Sequence, residues 1–157
     1  MKIQLARLQN KSCEWAELGA RDYSKKISAI VQFEEVQIKS KSADRESAEA
    51  KKQAEGESLL RYVEVSDHLV LFDEKGRNFK SSREFSQFFL KVMGAGKKRA
   101  ILAIGGPYGF SDAVRARAND QISFSGLTFN HHLARVVALE QIYRALSIWK
   151  NLPFHND

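Results

Sequence analysis

Apolar positions along the chain follow two rhythms that take turns. Ile3-Gln4-Leu5-Ala6-Arg7-Leu8 alternates in the manner of a strand. Between about Cys13 and Ile27, Trp15, Leu18 and Tyr23 are the apolar members of a helix that Ser12 is placed to cap. Val31 to Ile38 reads as a second strand, and residues 39–45 as a polar loop. Ala, Glu and Lys then predict a helix from Arg45 to Tyr62, with Asp44 as its cap. His68-Leu69-Val70-Leu71-Phe72 is a continuous apolar run that stops at Asp73-Glu74-Lys75-Gly76, the look of a strand covered on both faces. Ser81-Ser82-Arg83-Glu84 fits a capping box and opens a helix through Phe85, Phe88, Phe89 and Val92, which Gly94 and Gly96 end. Arg99 to Ile104 is another buried strand, followed at once by Gly105-Gly106-Pro107-Tyr108-Gly109. Ser111 caps a short helix to Ala118, Gln121 to Phe124 forms the last strand, and a long helix spans His131 to Trp149. Strands alternating with helices predict an α/β fold, with a mainly parallel sheet and helices on both of its faces. No linker or repeat interrupts the pattern, so residues 1–157 read as a single domain.

Composition narrows the class. A hydrophobic share of 43% excludes a disordered chain. No apolar run reaches the roughly 18 residues of a membrane helix, and the N-terminus lacks the apolar core of a signal peptide. Cys13 is the single cysteine, which excludes an internal disulfide framework and fits a reducing compartment. Four scattered His and that one Cys show no metal-ligand spacing, so no metal is expected. The net charge of +6 tilts the reading slightly towards a polyanionic partner, although mild basicity also serves solubility.

Ligands of open α/β sheets bind beyond the carboxyl ends of strands. Three segments leave predicted strands there: Phe72-Asp73, Gly105 to Gly109, and Ser123-Phe124-Ser125-Gly126-Leu127-Thr128-Phe129. Their glycines either admit a ligand to the backbone or merely form tight turns; three such loops together favour a shared pocket. Common nucleotide motifs are missing. Gly105 to Gly109 lacks the dinucleotide spacing, and Gly94-Ala95-Gly96-Lys97-Lys98 lacks both the earlier glycine and the Ser or Thr of a P-loop. The last helix is apolar nearly all round, as suits either a central core helix or one that also meets a second subunit. Glu140 and Arg144 stand four apart on it, the spacing of a simple surface pair.

Taken together and in order, four stretches are specific: Ile104 to Gly109, Ser123 to His131, Arg135-Val136-Val137 with Glu140 to Ala145, and the terminal Pro153-Phe154-His155. On these the chain resembles, over essentially its whole length, the RlmH family. Its members are SPOUT-class enzymes that methylate N3 of a pseudouridine in 23S ribosomal RNA. The resemblance implies a C-terminal deep trefoil knot and S-adenosyl-L-methionine as cofactor. It implies donor contacts at Phe72, Gly105, Phe124, Ser125, Gly126, Leu127, Thr128 and Phe129. It also implies a cytoplasmic homodimer acting on the assembled ribosome, with site residues drawn from both subunits. Two positions depart from the family's habit: Asn130 stands where Pro is common, and Phe154 where a Tyr is common.

Transfer from a sulfonium needs positioning, loss of the target's N3 proton and accommodation of the developing charge. His131, His155 and Arg144 are the catalytic candidates implied near the site. Against these roles stand a supporting role for His131 at the helix start, a plain tail position for His155 and the Glu140 pair for Arg144. Lys25, Lys26, Lys97, Lys98, Arg99, Arg115 and Arg117 are candidates to track phosphates. Two alternatives remain open. One is another SPOUT enzyme acting on transfer RNA or a different ribosomal site; the other is a non-enzymatic RNA-binding or ribosome-assembly factor.

Overall fold

Five parallel strands form one sheet in the order β2-β1-β4-β3-β5. They are β1 (Lys2–Arg7), β2 (Phe33–Gln37), β3 (His68–Asn78), β4 (Arg99–Ile104) and β5 (Asp120–Ser123). The helices between and after them are α1 (Glu14–Ser28), α2 (Ala48–Tyr62), α3 (Ser82–Met93), α4 (Asp112–Arg117) and α5 (His131–Trp149). The computed structural model describes residues 1–8, 13–41 and 45–155.

Strand alternation sorts the core into two layers. Ile3, Leu5, Val70, Ala100 and Leu102 face one way, towards Ala20 and Ile27 of α1, Phe85 and Phe89 of α3, and Leu139, Ile142 and Leu146 of α5. Ala6, Leu69, Leu71, Ile101 and Ala103 face the other way, towards Leu59 of α2 and Val114 of α4. Each fully buried Leu or Ile contributes about 1.5–3 kcal/mol. A sheet covered on both faces explains why the middle strands read as unbroken apolar runs.

Helix starts follow local chemistry. Ser81 Oγ accepts from Glu84 N–H at 3.2 Å, while the Glu84 carboxylate accepts from Lys80 N–H at 2.8 Å, one residue further back than the reciprocal box predicts. Ser111 caps α4 through Val114 N–H. Ser47 caps α2 through Ala50 N–H at 3.1 Å, so that helix begins later than its composition suggests. Ser12 and Asp44, the caps expected for α1 and α2, lie outside the described residues. Cys13 is the N-cap of α1 and makes no side-chain cap bond. Asn130 caps α5: its side chain accepts from His132 N–H at 2.9 Å, a bond that proline could not supply.

One strand runs past its expected end. β3 does not stop at Phe72 but continues to Asn78. Phe72 and Arg77 both pair with Ile122 of β5, so residues 73–76 bulge out of the ladder between them. At the bulge Gly76 presses against the Gln121–Ile122 backbone, where any Cβ would collide. The polar run read as a terminating turn is therefore an excursion. It throws Asp73, Glu74 and Lys75 to the rim of the sheet's carboxyl edge.

Candidate functional site

The β3 bulge and the carboxyl ends of β4 and β5 open into a cleft of about 570 Å³, a size typical of small-molecule sites. Three segments wall it: the β3 bulge, the turn Gly105–Phe110 after β4, and residues 122–131 running from β5 into α5. The last of these crosses the sheet's end because β5 is an edge strand, whereas α5 packs in the layer with α1 and α3. Phe72 and Phe124 stack with centroids 4.6 Å apart, and Phe124 meets Phe85 edge-on at 5.9 Å. This aromatic block joins the cleft to the core.

The loops are held by their own backbones. Gly109 N–H donates to Gly106 O at 3.1 Å, and Gly109 adopts φ +71, which favours glycine. Ser123 Oγ donates to Ser125 O at 2.8 Å, and Ser125 Oγ accepts from Leu127 N–H at 3.0 Å. Asp73 has its side chain buried at 3% exposure and holds Arg115 Nε at 2.7 Å, with Lys75 N–H at 3.0 Å on its other oxygen. A partly buried ion pair thus stands in the cleft wall. Gly105 and Gly106 lack side chains because of what lies behind them. A Cβ on Gly105 would press on the Phe110 ring at 3.2 Å, and one on Gly106 would overlap the Glu55 carboxylate.

Of the residues singled out in the sequence, Phe72, Gly105, Phe124, Ser125, Leu127, Thr128, Phe129 and His131 all line this cleft. Gly126 sits in the same segment, facing open space. Arg144 and His155 do not line it. They meet each other instead, Arg144 Nη1 lying 3.2 Å from His155 Nδ1. Arg144 Nε donates to Glu140 at 2.9 Å, so the expected surface pair exists, and the guanidinium also covers the Phe154 ring at 4.7 Å. Phe154 packs edge-on to Tyr143 at 4.7 Å. The tail thus folds onto the last turns of α5 as a small aromatic and cationic cluster.

Several of the basic candidates for phosphate contact are engaged within the fold. Arg99 pairs with the buried carboxylate of Asp67, Arg115 with Asp73, and Arg117 donates to Glu64 O at 2.7 Å. Burial alone would raise the Asp67 carboxyl. Its bonds from Arg99 and Glu64 N–H outweigh that and hold it below its ordinary value. The sequence reading placed Phe72-Asp73 in the pocket but missed the pairing of Asp73 with Arg115, and missed Lys52 and Glu55 as parts of the site or its wall. Arg115, Lys52 and Glu55 sit on helices without any motif.

The sequence matches the family described as "Predicted SPOUT methyltransferase" over residues 1–155. The chain belongs to the SPOUT methyltransferase family. Relatives named "Ribosomal RNA large subunit methyltransferase H" match it nearly end to end. The protein of Bdellovibrio bacteriovorus is 39% identical over 156 residues, 99% of each chain. That of Christiangramia forsetii is 40% identical over 160 residues, again 99% of each. Among solved structures, a probable methyltransferase from Bordetella pertussis superposes with a TM-score of 0.57 at 12% identity, covering 92% of this chain and 96% of its own. A probable methylase family protein from Haemophilus influenzae gives 0.51 at 14% identity, covering 99% of this chain and 70% of its own. Those two show a shared fold. Among the described residues no cluster of His, Cys, Asp or Glu is placed to hold a metal ion, and no helix is long and apolar enough to cross a membrane.

Proposed function

We propose that this chain methylates large-subunit ribosomal RNA in the cytoplasm, drawing the methyl group from S-adenosyl-L-methionine held in the strand-end cleft. The observation that carries the reading is the convergence of Phe72, Gly105 and residues 124–129 on one cleft, in a chain whose full-length relatives are named for that reaction. The cleft fits such a donor: it is large enough for a folded nucleoside with an amino-acid arm, offers main-chain donors and acceptors from three loops, and carries the Glu74 carboxylate in its lining. When bound, the donor supplies an activated methyl group.

The protein's share of the work is placement and proton handling. The 122–131 segment and the Gly105–Phe110 turn orient the donor between them. His131, at the cleft end of α5, is positioned to hold or move a proton. Arg144 and His155 form a second group outside the chain's own cleft, one that suits an anionic base or a phosphate. Their separation from the cleft supports a homodimer, in which one copy's tail completes its partner's site. The outer face of the α1 and α5 layer supports it too: Trp15, Leu18 and Leu133 are 52%, 59% and 41% exposed. The family's knot belongs to the same proposal. The crossing of residues 124–130 over the sheet's end, and the return of α5 against α1 and α3, support it. As the target we propose N3 of a pseudouridine on the assembled ribosome.

Mass spectrometry of 23S RNA from cells lacking the protein tests the reading. Loss of one methyl mark, restored by purified protein and donor on ribosomes, is expected. An unchanged RNA, or a mark lost from transfer RNA instead, overturns it. Absence of heat on calorimetric titration with the donor points to a non-enzymatic assembly factor.

A further inference from the structure

Behind the Gly105–Phe110 turn lies a carboxyl group that the reaction above leaves unused. Glu55 of α2 is 7% exposed. Gly106 N–H donates to it, and the approach is so close that a Cβ on Gly106 would stand 2.6 Å from Oε1 and overlap Oε2. Oε2 has no hydrogen-bond partner among the described residues. Burying a carboxylate oxygen unpaired is costly, and the cost falls on the ionised form. Burial accordingly pushes the Glu55 carboxyl up to about 7, against the pull of Gly106 N–H and the charge of Lys51.

Few other charges oppose this. On its own helix Lys51 acts on Glu55, and Lys52 turns to the cleft. From α4, Ser111 and Val114 pack against the neighbouring Gly56. The charged residues of α4 are occupied or exposed: Arg115 is held by Asp73, Arg117 by the Glu64 carbonyl, and Asp112 is fully exposed. The turn itself contributes Tyr108 as its one titratable side chain, and that ring is 45% exposed.

We propose that Glu55 is a positioning residue for the methyl donor: ionised, it fastens the Gly105–Phe110 turn through Gly106 N–H, and protonated, it slackens that turn and weakens donor binding. The inference rests on the reading that this cleft holds S-adenosyl-L-methionine. A hydrogen bond to a charged acceptor is roughly twice as strong as one to a neutral acceptor, so the turn stiffens with ionisation. Because Glu55 stands behind the wall, it acts through Gly106.

Calorimetric titration of the full-length protein with S-adenosyl-L-methionine at about pH 6 and about pH 8 tests this, since one pKa unit of coupling is tenfold in affinity. Wild type should bind several-fold to tenfold more weakly at the lower pH. Glu55→Gln keeps an acceptor for Gly106 N–H but cannot titrate, and its affinity should be flat across that range. A second readout needs no donor: the Gly106 amide shift in the free protein should titrate near neutrality in wild type and stay still in Glu55→Gln. A variant that keeps the wild-type slope, or a Gly106 amide that never titrates, overturns the role of Glu55 alone. Wild type without heat at either pH overturns the cleft reading and this inference with it.

Discussion

The cleft and the tail cluster are built from different materials. The cleft is main chain first: its turns close on their own carbonyls and hydroxyls, and the Phe72–Phe124 stack ties them to the core. The tail cluster is side chain first, with Arg144 shared between Glu140, His155 and the Phe154 ring. Backbone held by neighbouring elements is already in place before a ligand arrives. A cluster of long side chains on a terminal segment gains its purpose from whatever it meets. The contrast fits the proposed division of labour, with the donor in the first region and the RNA at the second.

The sharpest way to break that division is Arg144→Ala. Single-turnover methylation of ribosomes should fall about 10²–10³-fold, the usual loss on removing a group that stabilises developing charge. Calorimetry should show donor affinity unchanged within about threefold. Equal losses in both would place Arg144 with the donor and dissolve the contrast.

The wall behind the cleft offers the next effect. The Glu55 carboxyl is raised from 4.5 to about 7 in the fold. A raised group adds stability fully present below the unfolded value and lost as pH climbs through the folded one. The shift corresponds to on the order of 3 kcal/mol at most. Glu55→Gln should therefore melt with wild type near pH 4 and above it near pH 8. Identical melting curves at both pH values would show that the burial costs nothing.

Phe124→Ala separates the regions from the other side. Deleting a half-buried ring from the stack should cost about 2 kcal/mol of stability, below the 3–5 of a fully buried Phe. Donor affinity should drop at least about tenfold. Denaturant unfolding and calorimetry together check it; a variant that loses stability but binds normally would make the stack purely structural. The smallest stability effect is expected where the regions join: Asn130→Ala removes the cap of α5 and should cost about 1 kcal/mol, read by thermal melting; an unchanged melting temperature would show that the cap adds nothing.

Parts of this arrangement were plain in the residues. Arg99–Ile104 and His131–Trp149 match their expected bounds, because a continuous apolar run and a long capped helix are local signals. The segments after β4 and β5 were identifiable as loops that follow strands, whereas Phe72-Asp73, read the same way, leads into a bulge inside β3. The second half of β3 was hidden, because Arg77 and Asn78 become strand only by pairing with Ile122 and Ser123 of β5. Glu55 was hidden too. On an Ala-, Glu- and Lys-rich helix nothing distinguishes it from solvated neighbours until α2 packs behind Gly106.

What the sequence determined alone is the alternation of strand and helix, the parallel sheet that alternation demands, and the family membership that goes with its ordered motifs. Tertiary structure decided which strand ends meet, which glycines are obliged by a neighbour and which charges end up buried. The reason is range: propensity and periodicity act within a few residues, whereas the pairing of Asp73 with Arg115, or of Glu55 with Gly106, spans some forty or fifty positions of chain and exists only once the sheet has ordered its strands.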